Sequence, residues 1–129
     1  MLYRGDGAGY WLNTTGTVIG AGFSSMRSIF SPGDFNGDGN SDVMTVLADG
    51  TIKLFTGNGS GGWISGSGSG AVIGTGWSTM KQIAGPGDFD GDGNPDIITI
   101  RSNGELWLYT GNGTGSWINA VGVKIGSGW

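Results

Sequence analysis

Apolar side chains along this chain fall in short runs broken by glycine, asparagine and aspartate, and none of the runs has helical spacing. The stretch DIITI (Asp96 to Ile100) carries four apolar-faced residues in succession and reads as an inner strand buried on both faces. It is joined to ELWLYTG by Ser102-Asn103-Gly104, just as DVMTVLA is joined to TIKLFTG through Asp49-Gly50. Asn-Gly and Asp-Gly are the favoured pairs of two-residue hairpin turns in which both positions take positive φ. TMKQIAGPGDF precedes that hairpin as a first strand. VIGTGW supplies a fourth, after a glycine- and serine-rich loop expected at the solvent-facing periphery.

These four-strand units recur. At a spacing of 54 residues, Ile73 to Ile100 (IGTGWSTMKQIAGPGDFDGDGNPDIITI) matches Ile19 to Val46 (IGAGFSSMRSIFSPGDFNGDGNSDVMTV). GELWLYTGNGTGSWI matches GTIKLFTGNGSGGWI, and a shorter copy begins at LYRGDGAGYWL. A repeat of this length without helical periodicity predicts an all-β chain built from β-propeller blades of four antiparallel strands. The expected division is a partial blade and lead-in over residues 1–30, then acidic-loop blades over 31–77 and 78–129. That gives about two and a half blades, with two inner strand pairs and three outer pairs, whereas closed propellers have about four to eight blades. The chain is therefore expected to be completed by oligomerisation or to be cut from a longer propeller. A homo-oligomer would keep the same excess of outer pairs.

Composition supports folded strands over a disordered linker, because the 30 glycines among 129 residues are interspersed with aromatic and branched residues. The length suits one modest domain. There is no apolar run of 18 residues, which predicts no membrane span. Cysteine and histidine are absent, and with them disulfides, zinc sites of the usual kind and nucleophile–histidine pairs. Met1 is followed by LYRGDG, with neither the basic start nor the apolar stretch of a signal peptide, so the chain reads as a mature segment or an excerpt.

Charge is concentrated. Seven of the ten acids (Asp34, Asp38, Asp42, Asp88, Asp90, Asp92 and Asp96) lie in the two loops PGDFNGDGNSD and PGDFDGDGNPD. The net charge of −4 is thus a property of two small sites, and two divalent cations would cancel it. The six bases are scattered, which argues against a nucleic-acid face.

In the first loop Asp34, Asn36, Asp38 and Asp42 take positions 1, 3, 5 and 9, with Gly39 at position 6; in the second they are Asp88, Asp90, Asp92 and Asp96, with Gly93. Alternate oxygen side chains converge on one centre when a short loop coils, and the main-chain carbonyl of position 7 (Asn40, Asn94) is available to join them. This is the oxygen-only pattern of a Ca2+ loop, predicting two sites per chain. An EF-hand is excluded, since Thr45 and Thr99 stand at position 12 and the flanks read as strands. Turn formation alone explains Asp, Asn and Gly but not four oxygen side chains at alternate positions, twice. Magnesium would want fewer protein ligands. Crowded carboxylates repel without metal, so folding and Ca2+ binding are expected to be coupled.

These acidic loops, each followed by an apolar strand, a DG or NG turn and an LF or LY strand, resemble the FG-GAP/VCBS repeats of integrin-α-like β-propellers over nearly the whole chain. The TGNG and IGTGW stretches are most similar to bacterial secreted examples that follow enzymes or stand as lectin-like modules. The resemblance implies a calcium-stabilised propeller, secreted and used for binding.

Other signals are weaker. GNGSGG (Gly57 to Gly62) fits a dinucleotide-loop pattern, but no helix follows it to hold a pyrophosphate. The RGD of Arg4 to Asp6 aligns with TGN in the other copies and reads as a turn variant, and the Asn58 and Asn112 sequons coincide with the same turn. Among the tryptophans, Trp11, Trp63 and Trp117 lie beside glycine-rich loops. They are candidates for stacking on sugar rings, with packing between blades as the plainer role. The expected function is a non-catalytic binding module for a carbohydrate or a cell-surface partner. A self-assembling structural propeller fragment is the alternative. An enzyme is not expected, because only Asp6, Asp49 and Glu105 remain outside the metal loops as acids.

Overall fold

The computed structural model describes residues 1–64 and 68–129. The fold is all-β, with two four-stranded antiparallel sheets whose strands follow chain order. The first contains β1 (Met26–Gly33), β2 (Asp42–Leu47), β3 (Ile52–Phe55) and β4 (Ala71–Gly74). The second contains β5 (Met80–Gly87), β6 (Asp96–Arg101), β7 (Glu105–Tyr109) and β8 (Val123–Ser127). Each sheet is a four-stranded blade, and the first begins at Met26, within the stretch expected as lead-in. Each is entered through one 3-10 turn, Phe23–Ser25 or Trp77–Thr79. The serine- and glycine-rich β3–β4 connection includes residues 65–67, which lie outside the described residues. Among the described residues no helix is long and apolar enough to cross a membrane.

The central hairpins differ from the two-residue turns expected of Asp-Gly and Asn-Gly. Only the glycines of these turns have positive φ, 84° at Gly50 and 80° at Gly104, and among the described residues no non-glycine does. The Gly50 N–H donates to Leu47 O at 3.0 Å while the Leu47 N–H donates to Thr51 O at 2.9 Å. This is a type I turn closed by a glycine in the left-handed region, the three-residue hairpin loop. Asp49 and Asn103 still serve it, accepting from the Thr51 and Glu105 N–H groups.

The two sheets stack face to face, and strand alternation assigns the residues between them. Met44 and Val46 of β2 and Ile52 and Leu54 of β3 turn toward the second sheet, which answers with Ile97 and Tyr109 and with Trp77 and Met80 at its entry. These residues form one core cluster. Arg27 on β1 bridges the sheets by donating to the carbonyl oxygens of Ser78 and Met80. Nearest the hub, β1 and β5 approach so closely that a Cβ on Gly85 would lie 2.6 Å from Pro32 Cα and from Ser31 O.

Two expectations need correction. The run DIITI is not buried on both faces: Ile97 and Thr99 are buried against the first sheet, but Ile98 and Ile100 are only half-buried, because nothing among the described residues covers the far side of the second sheet. The predicted outer strand pair at the N-terminus is also reduced. It is represented by the single bridge Leu2↔Thr17, because the Gly5↔Trp11 bridge belongs to the turn that both full blades repeat as Gly57↔Trp63 and Gly111↔Trp117.

Two outcomes test this packing. Gly85→Val is expected to lower stability by about 1–3 kcal/mol through overpacking at the β1–β5 contact, read as a lower denaturation midpoint. Glu105, which accepts from Lys124 Nζ and Trp107 Nε1, has its carboxyl lowered to about 2, chiefly by the Lys124 hydrogen bond. A depressed carboxylate stabilises above its unfolded-state value and loses that contribution as pH falls toward the folded value. Melting temperature should therefore fall less steeply in Glu105→Gln than in the parent between pH 4.5 and 2.

Candidate metal centres

The acidic loops are the β1–β2 and β5–β6 connections, and each is organised by its first aspartate. Asp34 Oδ1 accepts from the N–H groups of Gly37 (2.8 Å) and Asp38 (3.0 Å), and its Oδ2 accepts from Gly39 (2.8 Å). Asp88 does the same with Gly91 (2.7 Å) and Gly93 (3.0 Å). Positive φ at Gly39 and Gly93 supplies the sharp turn expected at position 6.

The last aspartate of each loop is the buried one. Asp42 and Asp96 are fully inaccessible, at 0% exposure. Asp42 Oδ2 accepts from the Phe35 and Asn36 N–H groups at 3.0 and 3.2 Å, and Oδ1 accepts from Gly57 at 3.0 Å. Asp96 repeats the set with Phe89 and Asp90 at 2.9 and 3.2 Å, and Gly111 at 3.2 Å. One carboxylate thus fixes the loop, the start of the inner strand and the turn after the outer strand. Burial pushes both carboxyls above the ordinary aspartate value, against the backbone hydrogen bonds that pull them down.

Sequence reasoning missed the partner of this aspartate. Gly57 and Gly111, read only as parts of the TGNG turn, give it their N–H groups and tolerate no side chain. A Cβ would stand 2.1 Å from Ser41 O at Gly57 and 2.2 Å from Pro95 O at Gly111. Thr110 was missed as well; its hydroxyl donates to Asp90 Oδ2 at 3.2 Å. The available signal was the constant 15-residue separation between aspartate and glycine in both copies.

In the second loop, carboxylate oxygens of Asp88, Asp90 and Asp96 lie within 4.8 Å of one another. Three hard oxygens so grouped, one from a buried side chain, fit a divalent cation held by oxygen ligands. Asp92 stands apart from that group and instead accepts from the N–H and side-chain amide of Asn94. In the first loop Asn36 occupies the place of Asp90. Its Oδ1 accepts from the Asp38 N–H at 3.0 Å and its amide donates to Asp38 Oδ2 at 3.1 Å. Asp38 also accepts from Asn40, whose backbone and side-chain N–H groups lie 2.8 and 3.0 Å away.

The three candidate ligand tryptophans stand in equivalent places with different neighbours. Trp117 is wedged between the sheets against Phe35, Trp77 and Tyr109, and its indole N–H donates to Ile73 O at 2.8 Å. Trp63 packs on Phe23 and Phe55 and donates to Ile19 O at 2.8 Å. Its edge also borders an open groove with Asn40, Asn58 and Leu2. Trp11 is exposed and touches Tyr3. Asp6 of the RGD stretch accepts from the Ala8 and Tyr10 N–H groups, as Asn58 accepts from Ser60 and Gly62 and Asn112 from Thr114 and Ser116. It is a member of the repeated turn.

Stacked four-stranded sheets, each with an acidic loop leading into its second strand, define a protein of propeller-blade repeats. The model of the FG-GAP-like repeat family matches residues 34–99 and 88–129, each match opening on the first aspartate of an acidic loop, and the chain belongs to that family. No curated protein and no solved structure matches the chain.

Gly111→Ala is expected to break the Asp96–Gly111 bond and cost about 1–3 kcal/mol. In a double-mutant cycle with Asp96→Asn the two losses should be clearly less than additive, because both remove the same interaction.

Proposed function

We propose that the chain is a non-catalytic binding module of a calcium-stabilised propeller, acting outside the cell on a carbohydrate or a cell-surface partner. The observation that carries the metal reading is the convergence of Asp88, Asp90 and Asp96 around a buried carboxylate. Calcium is favoured over magnesium because a coiled loop offers several protein oxygens, whereas magnesium keeps more of its water and demands a strict octahedron. The residues that would hold it are Asp88, Asp90 and Asp96 in the second loop and Asp34, Asn36 and Asp42 in the first. Asp38, Asp92 and the carbonyl groups of Asn40 and Asn94 are further candidates. When bound, the cation supplies the positive charge that crowded carboxylates need in order to stay ionised.

The groove beside Trp63 supports the ligand reading, because it joins an aromatic ring to the amide side chains of Asn40 and Asn58. A sugar ring offers an apolar face to the former and hydroxyl groups to the latter.

Calcium titrated calorimetrically into chelator-stripped protein should bind at two sites per chain, with Asp96→Asn abolishing one. At a hundred times its Kd a single site adds about 2.7 kcal/mol of stability. Melting unchanged by calcium would overturn the metal reading. In a glycan array run with calcium, binding that disappears in Trp63→Ala is expected; a blank array would overturn the carbohydrate reading alone.

A further inference from the structure

Each junction between successive repeats carries three aromatic rings: one that ends the IGxG strand, one on the outer strand and one after the TGNG turn. The first junction has Phe23, Phe55 and Trp63, with ring centroids 5.1, 5.5 and 6.3 Å apart. The second has Trp77, Tyr109 and Trp117, at 4.7, 5.5 and 6.1 Å. A third set exists in two pieces. Tyr3 and Trp11, 5.9 Å apart, hold the outer-strand and turn positions at the N-terminal edge, and Trp129 holds the IGxG position on the opposite, uncovered face.

The uncovered face repeats the covered one position by position. Phe35 is 0% exposed beneath the second sheet, while its counterpart Phe89 is 53% exposed; Trp77 is 4% exposed and Trp129 65%. Ile98, Ile100 and Leu106 line an open apolar groove at the places where Met44, Val46 and Ile52 are buried. At the N-terminal edge Tyr3 and Trp11 are 46% and 63% exposed, whereas Tyr109, the counterpart of Tyr3, is 3% exposed. Gly115 N–H donates to Phe35 O across the internal junction, and by the repeat Gly9 holds the place of Gly115 and Phe89 that of Phe35.

We infer that a second copy of this chain covers the face, head to tail, so that Trp129 and Phe89 of one copy close on Tyr3 and Trp11 of the next. The occupant is chosen by the chain's own junction, since the N-terminal edge presents the same aromatic pair that the second sheet presents to the first. The contact is heterologous, so it either closes into a ring or runs on as a filament. The smallest head-to-tail assembly that leaves neither the face nor the edge uncovered is a closed dimer, and this is the assembly inferred.

Sedimentation velocity at micromolar protein in calcium should give one species of twice 13.1 kDa. Trp129→Ala should weaken dimerisation about thirtyfold or more, as truncation of a buried interface tryptophan does. Trp11→Glu and Phe89→Glu should each be monomeric alone and pair when mixed, because the mixture retains one intact face and one intact edge. A wild-type monomer overturns the inference. So does Trp11→Glu that still dimerises alone, since that is the result of two uncovered faces meeting each other. Far-UV circular dichroism and calcium titration of each variant separate loss of assembly from loss of the fold or of the metal loops.

Discussion

The structure depends on a buried aspartate at the ninth position of each acidic loop. Asp42 and Asp96 each accept three backbone N–H groups, two from the loop that leads into the inner strand and one from the glycine after the outer strand. Hydrogen bonds to a charged acceptor contribute about 1.5–3 kcal/mol each. Desolvating the carboxylate costs several kcal/mol. The two are of similar size, so the balance is set by whatever else lies near the charge. In the second loop that neighbourhood is two more carboxylates, Asp88 and Asp90, which makes a cation the natural compensating partner.

The same aspartate explains why the repeat keeps glycine where it does. Gly57 and Gly111 must bring a backbone N–H up to a buried carboxylate while passing under the carbonyl of Ser41 or Pro95, and a methyl group has no room there. The turn that follows then reaches the neighbouring blade. Gly115 N–H donates to Phe35 O, in the first acidic loop, and Trp117 is wedged beside the same phenylalanine. Acidic loop, outer turn and blade junction are thus one connected unit.

Much of this was legible in the sequence because the chain is its own alignment. The 54-residue repeat located the strands, the acidic loops and the hairpins. Turn geometry was not legible, because Asp-Gly and Asn-Gly serve both the two-residue hairpin and the three-residue loop observed at Gly50 and Gly104. Burial was misread for Ile98 and Ile100, since a strand's covering depends on a neighbour the pattern of that strand does not encode. The loop spacing pointed to converging oxygens, and Asp88, Asp90 and Asp96 do converge. Asp92 lies outside that group and accepts from the adjacent Asn94 instead, a placement that spacing does not reveal.

The central claim is that the charge on the buried aspartates is held in the fold by a cation. The most direct measurement is backbone hydrogen exchange at Gly57 and Gly111, compared in calcium and in excess chelator. Both amides should be strongly protected with calcium and lose that protection on chelation, with the loss spreading into β2 and β6. Equal protection under both conditions would contradict the central claim.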